Sequence, residues 1–127
     1  MRLLLDTHAL LWWLGELPRL GAAARIEIGS PASEVHVSAV TATEISIKQA
    51  IGKLDAPDDL PEQLSLNGFS ELPLTVRHGL AVAELPLLHG DPFDRMLIAQ
   101  ARVEGLTLVT ADRKISAYDV PILSAAD

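Results

Sequence analysis

"LLLDTHALLWW", residues 3–13, places Asp6 directly after three leucines and directly before a second, mostly apolar run. An ordinary core would take one more apolar side chain there, because a buried carboxylate loses its hydration. The leucines form a short apolar run that reads as a strand, and the spacing after Asp6 reads as a helix over residues 7–14. The carboxylate therefore stands where a strand ends. The same alternation continues down the chain. "VHVS" (35–38), "LPLTV" (72–76), "TLVT" (107–110) and "VPIL" (120–123) are expected as strands, with helical patterns over 21–29, 40–52, 58–66, 76–84, 92–104 and 113–118. Strands separated by helices imply βαβ crossovers. The expected class is α/β, with a central, mainly parallel five-stranded sheet and helices on both faces.

Composition bounds the rest. With 127 residues, 49% hydrophobic and 21% charged, the chain has material for one domain over 1–127, and it shows no repeat or linker. It has no cysteine, which excludes disulfides and thiolate zinc sites and suits a reducing cytosol, so a cytoplasmic location is expected. Any metal must be held by oxygen or imidazole. Asp6 and His8 interrupt the first apolar stretch and no small-residue cleavage site follows, so a signal peptide is not expected. No run approaches the ~20 apolar residues of a membrane span. The net charge of −7 argues against a broad basic nucleic-acid footprint. A nucleic-acid role has to act locally, through Arg and Lys at a rim or through bound cations that invert the potential of an acidic pocket.

Acids fall at informative places. Asp6 follows the first expected strand and Asp112 follows "TLVTA" after the fourth, and open parallel sheets bind ligands outside the carboxyl ends of their strands. Glu44, in "VSAVTATEISIKQAIGKL", shares a helix face with Ile47 and Ile51 and is expected to lean toward the sheet. In "HGDPFDRMLIAQA", Asp91 precedes Pro92 as an expected N-cap. Asp94 then heads an apolar stripe of Leu97, Ile98 and Ala101. Singly, each acid has a plain structural reading: Asp6, Asp91 and Asp112 as helix caps, Glu44 as a surface partner of Lys48. Together they converge on one sheet edge, where like charges would repel unless a hard divalent cation such as Mg²⁺ or Mn²⁺ joined them.

The stretches "LLLDTHALLWWL", "VSAVTATEISIK", "DPFDRMLIAQA" and "TLVTAD" resemble, in order and over essentially the whole chain, the four acidic motifs of PIN-domain ribonucleases, more narrowly the VapC toxins of toxin–antitoxin pairs. The resemblance implies a PIN-like three-layer fold, an Mg²⁺- or Mn²⁺-dependent endoribonuclease acting on RNA, a homodimer, and a VapB-type antitoxin that blocks the site. By motif match, Asp6, Glu44, Asp94 and Asp112 take the catalytic, metal-holding positions, although "DPFDR" offers Asp91 as well. Thr7 and Thr110 are candidates to position substrate or water, and Arg95, Arg113 and Lys114 to contact phosphate. Trp12 and Trp13 lie at helical spacing beside leucines, which favours packing over base stacking. His8, His36, His78 and His89 show no metal-ligand spacing and are read as packing or surface residues. A receiver-like signalling domain with an acidic Mg²⁺ pocket and a non-catalytic interaction domain are the competing readings. The former would want a phosphoacceptor Asp ending the middle strand and a Lys ending a later one, which "LPLTVRHG" and "TLVTAD" do not offer.

Overall fold

A computed structural model describes all 127 residues. Five strands, β1 (Arg2–Leu5), β2 (Glu34–Ser38), β3 (Ser70–Leu72), β4 (Thr107–Thr110) and β5 (Ile122–Ser124), form one sheet in the order β3-β2-β1-β4-β5. Every pairing is parallel. The chain builds outward from β1 to β3, then returns to the opposite side of β1 to lay down β4 and β5. The order reverses at β1 and β4, and a crevice opens there at the carboxyl ends of the strands.

Six α-helices cover the sheet: α1 (Thr7–Leu14), α2 (Ala22–Gly29), α3 (Ala39–Ala50), α4 (Leu60–Leu66), α5 (Val76–Ala81) and α6 (Pro92–Glu104). Short 3₁₀ turns occupy Val82–Glu84 and Arg113–Ala117. Strand alternation sorts the leucines of β1 between two cores. Leu3 and Leu5 join Leu10, Ala24, Val37 and Val109 on one face, and Leu4 joins Leu97, Ile98, Leu108 and Ile115 on the other. Both cores are dry. α3 contributes Ile45 to the first and Val40 to the second, so it bridges the layers beside the crevice.

Two expected strands shift. "LPLTV" is not a strand; β3 ends at Leu72, paired with Ser38, because Pro73 has no N–H to continue a ladder, and Thr75 caps α5 two residues later. "VPIL" slides for the same reason: the Pro121 carbonyl accepts Leu108 N–H at 2.9 Å, and the strand proper runs from Ile122. The expected stripe on α3 is also rotated. Val40, Thr41, Glu44 and Ile45 are buried, whereas Ile47 is 50% exposed and Ile51, beyond the helix as its C-cap, is 61% exposed. α6 follows its sequence signals closely, from the Asp91 cap and Pro92 to Gly105, whose φ of 68° is the left-handed conformation that ends the helix. No helix is long and apolar enough to cross a membrane.

Candidate metal centre

At the crevice lies a cavity of about 350 Å³ walled by residues from β1–α1, α3, α6 and the turn after β4. Asp6, Glu44, Asp94 and Asp112 all line it, together with Asp91. Against these five carboxylates stand two permanent cations, Arg19 and Lys48.

Asp6 is only 6% exposed. It caps α1, its Oδ1 accepting Ala9 N–H at 2.8 Å, while its backbone N–H reaches across to Val109 O at 3.0 Å. The cap reading is correct and incomplete, because burial pushes the carboxyl up from 3.8 to about 6 despite hydrogen bonds from Thr110 and Ala9; the nearby Asp94 charge adds to the rise and His8 opposes it. Asp94 is raised too. Its largest cause is again burial, reinforced by the charges of Asp91 and Glu44 and opposed by His89.

Glu44 is 4% exposed, and both of its oxygens are engaged. Thr7 Oγ1 donates to Oε1 at 2.5 Å and Lys48 Nζ to Oε2 at 2.5 Å. The Lys48 pairing anticipated from the sequence therefore exists, but on a buried carboxylate and not as a surface bridge. That hydrogen bond raises the ammonium's pKa, and Nζ also lies 6.0 Å from the Phe93 ring centroid. Asp91 spends Oδ1 on the N–H groups of Phe93 and Asp94, at 2.8 and 3.1 Å. Asp94, at the third helical position, spends no oxygen on a cap. Asp112 accepts Lys114 N–H at 2.9 Å through Oδ1 and turns Oδ2 toward the cavity, with its own N–H donated to Thr110 Oγ1 at 3.1 Å. Thr7 and Thr110 thus orient acids.

Several sequence expectations give way here. Arg95 turns from the cavity and donates to the Val82, Leu85 and Pro86 carbonyls and to Tyr118 Oη, so it is a structural clamp and not a phosphate contact. Arg113 and Lys114 are exposed outside the cavity wall, and Arg19 and Lys48 take the place assigned to them. Trp13 packs on Phe69 and bonds Asn67 Oδ1 at 2.9 Å, whereas Trp12 is half-buried on the cavity wall beside His8. His89 is the residue the sequence hid. It is neither core nor free surface: its Nε2 lies 2.8 Å from Asp94 Oδ2 and 3.3 Å from Asp112 Oδ2. No spacing pattern announces it, since a tertiary loop contact puts it there.

The donor set fits a hard divalent ion. Carboxylate oxygens dominate it, two carboxyls are held above their ordinary range by burial, and the permanent cations are too few to balance five acids. Asp6, Asp91, Asp94, Asp112 and His89 each keep a side-chain atom that no backbone N–H occupies.

A parallel sheet with an acidic crevice at its switch point defines a class, and comparison with known proteins gives the class its name. The PIN domain profile matches residues 3–121. Ribonuclease VapC22 of Mycobacterium tuberculosis is 33% identical over 125 residues, covering 93% of this chain and 92% of that protein. The chain belongs to the PIN-domain family, on its VapC branch. Solved structures share the fold at lower identity. VapBC2 from Rickettsia felis, bound to a DNA fragment from its promoter, superposes with a TM-score of 0.73 at 16% identity, covering 98% of each chain. The DNA-bound VapBC from Salmonella typhimurium gives 0.67 at 15%, covering 99% of each. FitAcB from Neisseria gonorrhoeae gives 0.59 at 21%, covering 95% of this chain and 96% of that one.

Proposed function

We propose that this protein is the ribonuclease toxin of a toxin–antitoxin pair, working as one PIN unit over 1–127 and hydrolysing RNA phosphodiester bonds with Mg²⁺ or Mn²⁺. The observation that carries the reading is the crowd of five carboxylates at the sheet's switch point, in a chain 33% identical to a ribonuclease. Asp6, Asp94 and Asp112 would hold the ion, and Glu44, with both oxygens engaged by Thr7 and Lys48, contributes through water. When bound, a divalent cation supplies an acidified water near neutral pH and a counter-charge for the phosphate. The protein does the rest. Thr110 and the α1 backbone fix Asp6, the α6 N-terminus fixes Asp94, and Lys48 and Arg19 offer the cationic wall that an anionic backbone needs in a chain of net charge −7.

The competing readings fail on particulars. A receiver-like domain follows the order 2-1-3-4-5; this sheet runs β3-β2-β1-β4-β5. An interaction domain whose acids are only caps leaves Glu44 and Asp94 without a reason to be buried among like charges. The surroundings that fit a PIN toxin are a homodimer and a VapB-type antitoxin, whose basic side chain would complement the acidic cavity. The test is an RNA cleavage assay. EDTA should abolish cleavage and Mn²⁺ or Mg²⁺ should restore it, whereas cleavage that persists in EDTA would sink the metal mechanism.

A further inference from the structure

The segment that carries His89 is pinned from below. Arg95, in the first turns of α6, donates to Val82 O at 3.2 Å, Leu85 O at 3.3 Å and Pro86 O at 2.8 Å, and so ties down the chain leading to "LLHGD". It also donates to Tyr118 Oη at 3.1 Å, and that same hydroxyl oxygen accepts the backbone N–H of His89 at 2.9 Å. One buried tyrosine and one guanidinium therefore set both the height and the heading of the loop. The result is an imidazole that is 12% exposed, with Nε2 aimed between two carboxylates from different elements, Asp94 of α6 and Asp112 after β4.

Surface histidines do not need such an anchor. A histidine serving only as a counter-charge would pair with one acid and could do so from a mobile loop. Here the three donor atoms, His89 Nε2 and one oxygen each of Asp94 and Asp112, all lie within 4.8 Å of one another. The separations of 2.8 and 3.3 Å from Nε2 are close to the ~3.0 Å that divides neighbouring ligands around an octahedral ion with bonds of ~2.1 Å. The atoms stand as neighbours in a coordination shell would.

We infer that His89 is a metal ligand, donating Nε2 to the same cation as Asp94 and Asp112, so that this site is a carboxylate–imidazole centre and not an all-oxygen one. The inference rests on the metal-dependent reading above. It has a consequence for selectivity, since imidazole nitrogen is a better partner for a first-row transition ion than for Mg²⁺, which prefers oxygen and keeps its waters. The site should discriminate for Mn²⁺ more strongly than its acids alone would.

Mn²⁺ added to the metal-free protein tests this without any substrate. Continuous-wave EPR reports how much Mn²⁺ is bound, and pulsed EPR reports whether a ¹⁴N nucleus is coupled to it. The wild type should bind Mn²⁺ and show nitrogen coupling. His89→Gln, with unchanged circular dichroism, should still bind Mn²⁺, roughly tenfold more weakly, and lose the coupling. Its Mg²⁺ affinity by calorimetry should fall by less than about threefold, since Mg²⁺ takes little from imidazole. His8→Gln, which removes the other histidine on the cavity wall, should keep the coupling. Bound Mn²⁺ without nitrogen coupling, coupling that survives His89→Gln, or coupling lost in His8→Gln would each overturn the His89 assignment while leaving the metal-dependent reading standing. Failure of the wild type to bind Mn²⁺ at all would overturn both.

Discussion

Two regions of this molecule bury polar side chains, and they do it in opposite ways. Beneath α5 and α6, Ser38 donates to Gln100 Oε1, Gln100 Nε2 donates to Pro73 O at 3.2 Å and lies 3.3 Å from His78 Nδ1, and His78 Nε2 donates to Glu104 Oε2 at 2.8 Å. Nδ1 accepts Thr75 N–H at 3.0 Å, which fixes the tautomer with its proton on Nε2. Donors and acceptors there nearly balance, and the network holds two helices to the sheet. The crevice, by contrast, gathers five acids that supply acceptors in excess of donors. Burial then shows in the protonation of Asp6 and Asp94, pushed upward. Balanced polar groups build structure, whereas unbalanced ones of a single sign keep a place for something from outside.

The widest gap between the regions should open when an acid with no capping duty is neutralised. Asp94 spends no oxygen on a cap, whereas Asp91 Oδ1 serves two backbone N–H groups. Asn keeps the shape and the capping ability and is a poor anionic ligand. Asp94→Asn should lower RNA cleavage roughly 10²–10³-fold, the scale of losing one group that stabilises transition-state charge, with its melting temperature unchanged or raised. Asp91→Asn should leave cleavage within about threefold of wild type, since the cap persists. The reverse ranking, read from initial rates at saturating Mn²⁺, would show that the two aspartates have been assigned the wrong duties.

Asp6 sharpens the comparison through pH. Its carboxyl titrates near 3.8 in an unfolded chain and at about 6 in the metal-free fold, so between those values the folded state binds the extra proton. The metal-free protein is then most stable at the acid end of that window, and it loses stability as pH climbs through it, by about 3 kcal/mol at the upper end. This is opposite in sign to an ion-paired carboxylate, which loses stability on acidification. Asp6→Asn has nothing to titrate. In EDTA at pH 7 it should unfold at higher denaturant than wild type, by up to about 3 kcal/mol, with the advantage gone at pH 4. At one fixed Mn²⁺ concentration wild type should be stabilised more than the variant. A destabilised Asp6→Asn in EDTA at pH 7 would mean that Asp6 is there to hold α1.

How much of this was legible from residues alone follows the same division. β1, α1 and α6 could be read nearly to their ends because period, cap and terminator agree there; Asp91, Pro92 and Gly105 bracket α6 on both sides. The acids at strand ends were legible for a related reason, since a parallel sheet fixes where its carboxyl edge lies. The rest depended on partners. The prolines at 73 and 121 moved two edge strands because each lacks a ladder donor, and Ile47 and Ile51 suggested a stripe that α3 turns to solvent. Arg95 and His89 were misread together, for the contact that disqualifies Arg95 from touching phosphate runs through Tyr118, 23 residues on, and carries His89 to the acids. No local pattern encodes a contact between a loop and a distant 3₁₀ turn.

In the balanced region a single deletion should cost stability and nothing else. Gln100 is fully buried, and Gln100→Leu would leave the Ser38 hydroxyl without its acceptor and the Pro73 carbonyl without its donor. A cost of about 2 kcal/mol follows from buried groups left unpaired, measured as a lower midpoint in urea with the slope unchanged. Mn²⁺ affinity by calorimetry should stay within about twofold of wild type, since neither Gln100 nor Ser38 lines the crevice. A large loss of affinity would show that the network positions the crevice.

The smallest effect belongs to Asp91, where the two kinds of region meet in one residue. Its Oδ1 caps α6 in the manner of any N-terminal aspartate, yet it stands on the cavity wall and its charge helps to raise Asp94. Asp91→Ala removes cap and charge together. Losing the cap costs about 1 kcal/mol, while losing the charge relieves Asp94, so in EDTA the net destabilisation should be below that figure. Asp91→Asn, which keeps the cap and removes only the charge, should be neutral or slightly stabilising in EDTA. The difference between the two variants isolates the cap, and the difference between Asp91→Asn and wild type isolates the repulsion. If Asp91→Asn were destabilised as much as Asp91→Ala, the charge of Asp91 would be holding the α6 N-terminus through its dipole, and the crowding of acids at this edge would be weaker than the burial of Asp6 and Asp94 implies.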